Sequence, residues 1–222
     1  MRFNNQAVLV TTLLKNGIVQ HPDNPLQGLK RNTPEIYAVY QPVAGIILVN
    51  DPSTTIGQPK HLRSWHGEPL IRYVARTALE AGLSPVLVVT GSYGIEINAA
   101  LQNLPIQIIP NPVWEADRTT SVRAGIQAIP NDINAAVILC GDQSEISAKL
   151  LRALVDEHAQ TQQPLTIPST HGRQAFPVLI DRAMFPKILK LPEEVLGYTY
   201  PVQFPAGYSV DLILHTVCSE DE

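Results

Sequence analysis

Three apolar runs in this chain carry almost no polar interruption: Ala44 to Val49, Pro85 to Thr90 ("PVLVVT") and Ala135 to Leu139 ("AAVIL"). A strand with one face in water alternates apolar and polar residues. A strand with no alternation is buried on both faces, as in a parallel sheet. Parallel neighbours need long crossovers, and helical patterns fill the intervals. Glu68 to Ala81 is expected as a helix, with Pro69 in its first turn, Gly82 just past its end, and Leu70, Ile71, Val74, Ala75 and Ala78 on one face.

The alternation continues with a helix over Ile95 to Leu101, a strand over Ile106 to Ile109 and a helix over Thr120 to Ala128. Ser147 to Gln160 is a further helix, with Ser147 as its N-cap. Leu165 to Ile167 and Phe176 to Ile180 follow as strands, then Arg182 to Leu189 as a helix. This order predicts an α/β fold with a doubly wound, mostly parallel sheet in three α/β/α layers. Ligands in such sheets sit beyond the carboxyl ends of the strands. Functional loops are therefore expected near Asn50, Thr90, Pro110 and Cys140.

One such domain is expected over residues 43–215. Residues 1–42 read as an extension, either a hairpin around Asn16-Gly17 or a helix from Ala7 to Lys15, and 216–222 as an acidic tail. A net charge of −4 with no basic stripe gives no footprint for nucleic acid. No apolar run approaches the ~20 residues that cross a bilayer, and no signal peptide is read at the start. Cys140 and Cys218 form neither a metal-ligand pattern nor a disulfide framework, so a cytoplasmic setting is expected.

The stretch "ILVNDPSTTIGQPK", Ile47 to Lys60, joins a buried strand to a loop of small residues and a lysine. α/β proteins often build a place for phosphates in this way. A lysine serves phosphate as a point charge, and Pro59 restricts the backbone leading to it. An exposed loop lysine is the competing reading.

Four blocks in order extend this observation. "GIILVNDPSTTIGQPKHLRSWHGEPLIRYVARTALEAGLSPVLVVTG" resembles the opening of the molybdenum-cofactor nucleotidyltransferases, the MobA-like NTP transferase domain. "IIPNPVWEADRTTSVRAGIQAI" resembles that family's asparagine-proline block and serine helix, and "AAVILCGDQSEISAKLLRALV" its aspartate-glutamine loop. "IPSTHGRQAFPVLIDRAMFPKIL" resembles the segment that helps hold the acceptor. The likeness spans Val43 to Leu189.

The resemblance implies a Rossmann-like fold of the nucleotide-diphospho-sugar transferase type. It also implies transfer of CMP or GMP from CTP or GTP to a phosphorylated, pterin-type acceptor with release of pyrophosphate, assisted by Mg²⁺. A molybdoenzyme or its maturation factor would be the protein partner. Residue by residue, it puts Lys60 in the catalytic role and Leu48, Val49, Asn50, Gly57, Lys60, Asn111, Ser121 and Arg123 at the nucleotide. Asp142 would hold the metal, while Arg173 and Phe176 would face the acceptor. Each position has a plainer reading: Asp142 as a turn aspartate, Ser121 as a helix cap, Asn111 as the start of a turn with Pro112.

The chain departs from the family where Asn50 and Asp51 replace alanine and glycine, and where Thr55 replaces an arginine. Asp51 adds repulsion of about 1–4 kcal/mol toward phosphate at ~4 Å. Losing the arginine removes roughly 1.5–3 kcal/mol. His61 and Arg63 are candidates to restore positive charge. Two alternatives stay open: a relative that binds without catalysis, and a sugar-phosphate or terpenoid-pathway cytidylyltransferase.

Overall fold

A computed structural model describes residues 42–49, 59–115, 118–170, 173–174 and 177–190. The chain divides after Gln41, and every described residue belongs to the part beginning at Pro42. The expectations for residues 1–41 and 216–222 lie outside the described residues.

The described chain runs β1 (Val43–Val49), a 3₁₀ turn (Lys60–Leu62), β2 (Ser64–Trp65), β3 (Glu68–Pro69) and α1 (Leu70–Glu80). β4 (Val86–Thr90), α2 (Gly94–Ala100), β5 (Gln107–Pro110), α3 (Arg118–Gln127) and β6 (Ala135–Cys140) follow. The remainder is α4 (Ala148–Thr161), β7 (Leu165–Thr166), β8 (Ser169–Thr170), β9 (Arg173–Gln174), β10 (Val178–Asp181), a 3₁₀ turn (Arg182–Met184) and α5 (Phe185–Leu189). The main sheet has the order β5-β4-β1-β6-β10-β7. β1 pairs in parallel with β4 and β6, and β4 with β5, whereas β10 runs antiparallel to β6 and β7.

The apolar runs do what their lack of alternation requires. Successive residues of β1 enter opposite cores: Ile46 and Leu48 pack with Val122 and Ile126 of α3 and Phe185 and Ile188 of α5. Ile47 and Val49 pack with Ile71 and Val74 of α1, Ile97 of α2 and Leu151 of α4. Each such side chain contributes roughly 1.5–3 kcal/mol by burial, so the helices are held to both faces and the three layers follow. Gly82, at φ +89, ends α1 in the left-handed conformation that only glycine adopts freely. Ser147 caps α4, its hydroxyl accepting from Leu150 N at 3.2 Å.

The expected helix from Glu68 begins later than anticipated. Glu68 and Pro69 pair with Trp65 and Ser64 in a hairpin, and Pro69 is the N-cap of α1 rather than part of its first turn. Its two-residue bend, His66 (φ 47) and Gly67 (φ 86), has the left-handed conformations of a tight hairpin turn. Arg76 of α1 anchors the hairpin through Glu68, with Nη2–Oε1 at 2.8 Å, and also pairs with Glu80.

α3 approaches the sheet unusually closely. A Cβ built on Gly125 would stand 2.5 Å from Ile46 Cγ2 and 3.3 Å from Val89 Cγ2. Gly125→Ala is therefore expected to destabilise the fold. Overpacking costs about 1–3 kcal/mol, against a helix-propensity gain of about 0.5–1 kcal/mol. The midpoint of thermal unfolding should fall by roughly 2–4 °C for each net kcal/mol. An unchanged or raised Tm by calorimetry would show that α3 does not sit this close.

At the amino edge of β6, His158 is buried with its ring nitrogens near Gln163 O (3.1 Å) and Asp181 Oδ2 (3.3 Å). No described helix is long and apolar enough to cross a membrane.

Candidate active site

In register, Val49 lies beside Thr90, Thr90 beside Pro110, and Leu48 beside Cys140, so four strands end at one edge. Leu48 and Val49 have their side chains in the two cores and offer this edge only backbone. Even that is partly used: Leu48 O accepts from Gly141 N at 2.9 Å and Val49 O from Gly91 N at 3.4 Å.

The 3₁₀ turn after Pro59 brings Lys60 to the surface, with Arg63 N donating to Lys60 O at 3.1 Å. His61 goes the other way. It is 3% exposed and packs beneath Gly141, where a Cβ would meet His61 Cδ2 and Ile71 Cδ1 at 2.9 Å and Leu48 O at 3.2 Å. A hydrogen is all that this junction admits. The 3₁₀ turn after Pro59 and the loop after β6 thus meet one residue away from Lys60 and one residue away from Asp142. Two side chains far apart in sequence are delivered to one neighbourhood, both exposed. His61 supplies packing here rather than surface charge, contrary to its expected part; Arg63 remains exposed.

Asn111, at the end of β5, is buried and committed to the frame of the site. Its Nδ2 donates to Thr120 Oγ1 (2.9 Å) and Ser121 Oγ (2.8 Å), and its Oδ1 accepts from Val113 N (3.2 Å). Its own N donates to Thr90 O at 2.8 Å, and Thr120 Oγ1 reaches Val113 O at 3.3 Å. This stitches the turn after β5 to the first turns of α3. Ser121 is 0% exposed, so it is a member of that network and not an N-cap. Arg123 lies two residues on, half-buried.

The hairpin of β8 and β9, which carries Arg173, joins the carboxyl end of β7 to the start of β10 and so rises from this same edge. Asn50, Gly57 and Phe176, with the departures Asp51 and Thr55, lie outside the described residues. Among the described residues there is no group of three or more His, Cys, Asp or Glu side chains to cage a metal. Mg²⁺ does not require one: it is commonly bound by one or two carboxylates plus substrate phosphate oxygens. An exposed Asp142 at the strand edge fits that chemistry.

Two features of the edge were not legible in the sequence. The indole of Trp114 lies against Gly91, where a Cβ would fall 2.3 Å from its Cγ. Thr119 buries a hydroxyl in the first turn of α3. The glycine after a buried strand was the available signal for the first; nothing in the pattern marked the second.

Solved structures place this sheet in a class. A nucleotidyl transferase from Methanothermobacter aligns with a TM-score of 0.61 at 16% identity, covering 79% of this chain and 82% of that one. Rv0371c of Mycobacterium tuberculosis, solved as a complex with manganese, aligns with a TM-score of 0.57 at 18% identity, covering 68% and 77%. At such identities the likeness establishes the fold, which is that of the nucleotidyltransferases. The chain belongs to the MobA-like NTP transferase domain family, whose pattern it matches over residues 45–199. Among curated proteins, the bifunctional protein GlmU of Syntrophotalea carbinolica is 25% identical over 160 residues, 70% of this chain and 32% of that protein. The chain spans about a third or less of the length of the curated relatives it matches.

Proposed function

We propose that this chain transfers CMP or GMP from CTP or GTP to the phosphate of a molybdopterin-type acceptor. The observation that carries the reading is the junction of His61 and Gly141, which holds the Lys60 turn and the Asp142 loop together at the carboxyl edge. In the reaction an acceptor phosphate oxygen bonds to the α-phosphorus. The bond from that phosphorus to the oxygen bridging to the β-phosphate breaks, and its electron pair leaves with pyrophosphate. Lys60 neutralises charge at the phosphates, and the frame around Asn111 holds the nucleoside side of the edge. Asp142 would hold Mg²⁺ together with phosphate oxygens, and the bound ion would supply further charge neutralisation. Most of the rate enhancement in such a site comes from positioning and preorganised charge.

Titration calorimetry with CTP and with GTP, with and without Mg²⁺, tests the first half of this reading. One nucleotide is expected to give saturable, Mg²⁺-dependent heat, and none from either would sink it. A pyrophosphate-release assay with a phosphorylated pterin tests the second half. Nucleotide binding without release would favour a domain that binds and does not transfer.

A further inference from the structure

The loop that carries Asp142 runs from the end of β6 to Ser147, the N-cap of α4, and the first turn of α1 touches it at both ends. At the near end, Gly141 sits against Ile71 and His61, and its N donates to Leu48 O at 2.9 Å. At the far end, the Tyr73 hydroxyl donates to Ile146 O at 3.0 Å. The Ile146 side chain is 1% exposed and lies in the same core as Ile71 and Leu151. Its carbonyl precedes the N-cap of α4, whose first backbone bond starts one residue later, from Leu151 N to Ser147 O.

Tyr73 is itself held from the Lys60 side. The hairpin of β2 and β3 follows the Lys60 turn, and the ring of its His66 lies 6.3 Å from the Tyr73 ring. Arg76, which bonds Glu68 of that hairpin at 2.8 Å, places its guanidinium 5.8 Å from the same ring. The tyrosine ring thus belongs to the segment that follows Lys60, and its hydroxyl to the loop that carries Asp142.

One point of contact fixes where a loop lies but lets it pivot. A second point, displaced along the loop, fixes its direction. The contact of His61 with Gly141 is the first, and the bond from Tyr73 to Ile146 is the second. Direction matters for the exposed carboxylate between them, because Mg²⁺ demands near-octahedral oxygens at about 2.0–2.1 Å, whereas Ca²⁺ accepts looser arrangements.

We infer that Tyr73 is a positioning residue for the metal: its hydroxyl aims the Asp142 loop so that the carboxylate meets Mg²⁺ and the NTP phosphates together. The inference rests on the nucleotide-transfer reading above and deepens it. Tyr73 exerts this role through Asp142 and not by contact with either ligand.

Titration calorimetry of the preferred NTP, in Mg²⁺, in Ca²⁺ and with neither ion, tests this on Tyr73→Phe, Asp142→Asn and the double variant. Tyr73→Phe should weaken NTP binding in Mg²⁺ by about 3- to 10-fold, the range of one neutral hydrogen bond. Binding without a divalent ion should not change, and binding in Ca²⁺ should change less than in Mg²⁺. In the Asp142→Asn background the same substitution should add nothing, because residues that act through one another are not additive. Equal weakening with and without Mg²⁺, or a full effect in the Asp142→Asn background, would make Tyr73 a packing residue and overturn the inference. So would wild-type affinity in Mg²⁺.

Arg152→Ala is the matched control. It removes a bond of similar kind at the opposite end of α1, where Arg152 Nη1 donates to Glu80 O at 2.8 Å. Both variants should lower Tm by about 2–4 °C, but only Tyr73→Phe should shift the Mg²⁺ response. A matching shift in Arg152→Ala would assign the effect to lost stability and sink the proposal. A wild type whose NTP binding ignores Mg²⁺ would fail the transfer reading and this one together, whereas a responsive wild type beside an unaffected Tyr73→Phe fails this one alone.

Discussion

Lys60→Ala is expected to lower pyrophosphate release by roughly 10²- to 10³-fold, the scale seen when one preorganised donor to a developing charge is removed. The protein should unfold at the wild-type temperature, because Lys60 is exposed at the head of a 3₁₀ turn whose core contact is made by His61. Surface changes away from packing usually stay within about 0.5 kcal/mol. Lys60→Arg should recover part of the loss. It keeps the charge but spreads it over a planar fork on a longer stem, which a site built for a point charge accommodates poorly. The comparison separates catalysis from binding: if Lys60 acts mainly at the transition state, kcat falls more than KM rises. Wild-type turnover in Lys60→Ala would mean that Lys60 does not serve the phosphates.

Much of the sheet was legible because burial on both faces leaves a mark that does not depend on tertiary detail. β1, β4 and β6 fall within one or two residues of their expected limits, and Ser147 caps α4 as its hydroxyl and position require. The hairpin of β2 and β3 was missed because two-residue strands have no periodicity to detect. Glu68 and Pro69 read equally well as a helix start. The clue was His66-Gly67 between short flanks, a weaker form of the Asn-Gly signal. The antiparallel direction of β10 was not visible either, since apolar runs look alike in both directions. Only the short β8–β9 connection, which leaves no room for a crossover helix, determines it.

Candidate site residues divide in the same way. Lys60 and Asp142 were named by the likeness to the family's motifs, and the structure puts both on exposed positions after β1 and β6. Asn111 and Ser121 were readable as positions but not as partners of one another: the 2.8 Å bond between them is a tertiary fact. His61 was taken for a surface cation because its neighbour is one. The turn leaves Lys60 exposed but turns His61 inward, with Leu62 partly buried against the same core.

The loop after β6 allows the sharpest separation of chemistry from architecture, since adjacent residues there do different things. Asp142→Asn keeps the size and most of the hydrogen-bonding capacity of the side chain but removes the charge that would hold a divalent ion. It should reduce Mg²⁺-dependent turnover by roughly 10²-fold or more and raise the Mg²⁺ concentration needed for half-maximal rate. Tm should be unaffected, because the side chain is exposed.

Gly141→Ala keeps the carboxylate and puts a methyl between His61, Ile71 and Leu48 O. The first two could shift by a few tenths of an ångström, but the third is backbone of the central strand and cannot. The expected cost is about 1–3 kcal/mol of stability, with a fall in turnover as the Lys60 turn is pushed away from the Asp142 loop. The two variants should therefore differ in kind: one loses rate at full stability, the other loses both. If Gly141→Ala melts like the wild type, the turn and the loop do not meet as described. If Asp142→Asn turns over normally at limiting Mg²⁺, the metal is held elsewhere.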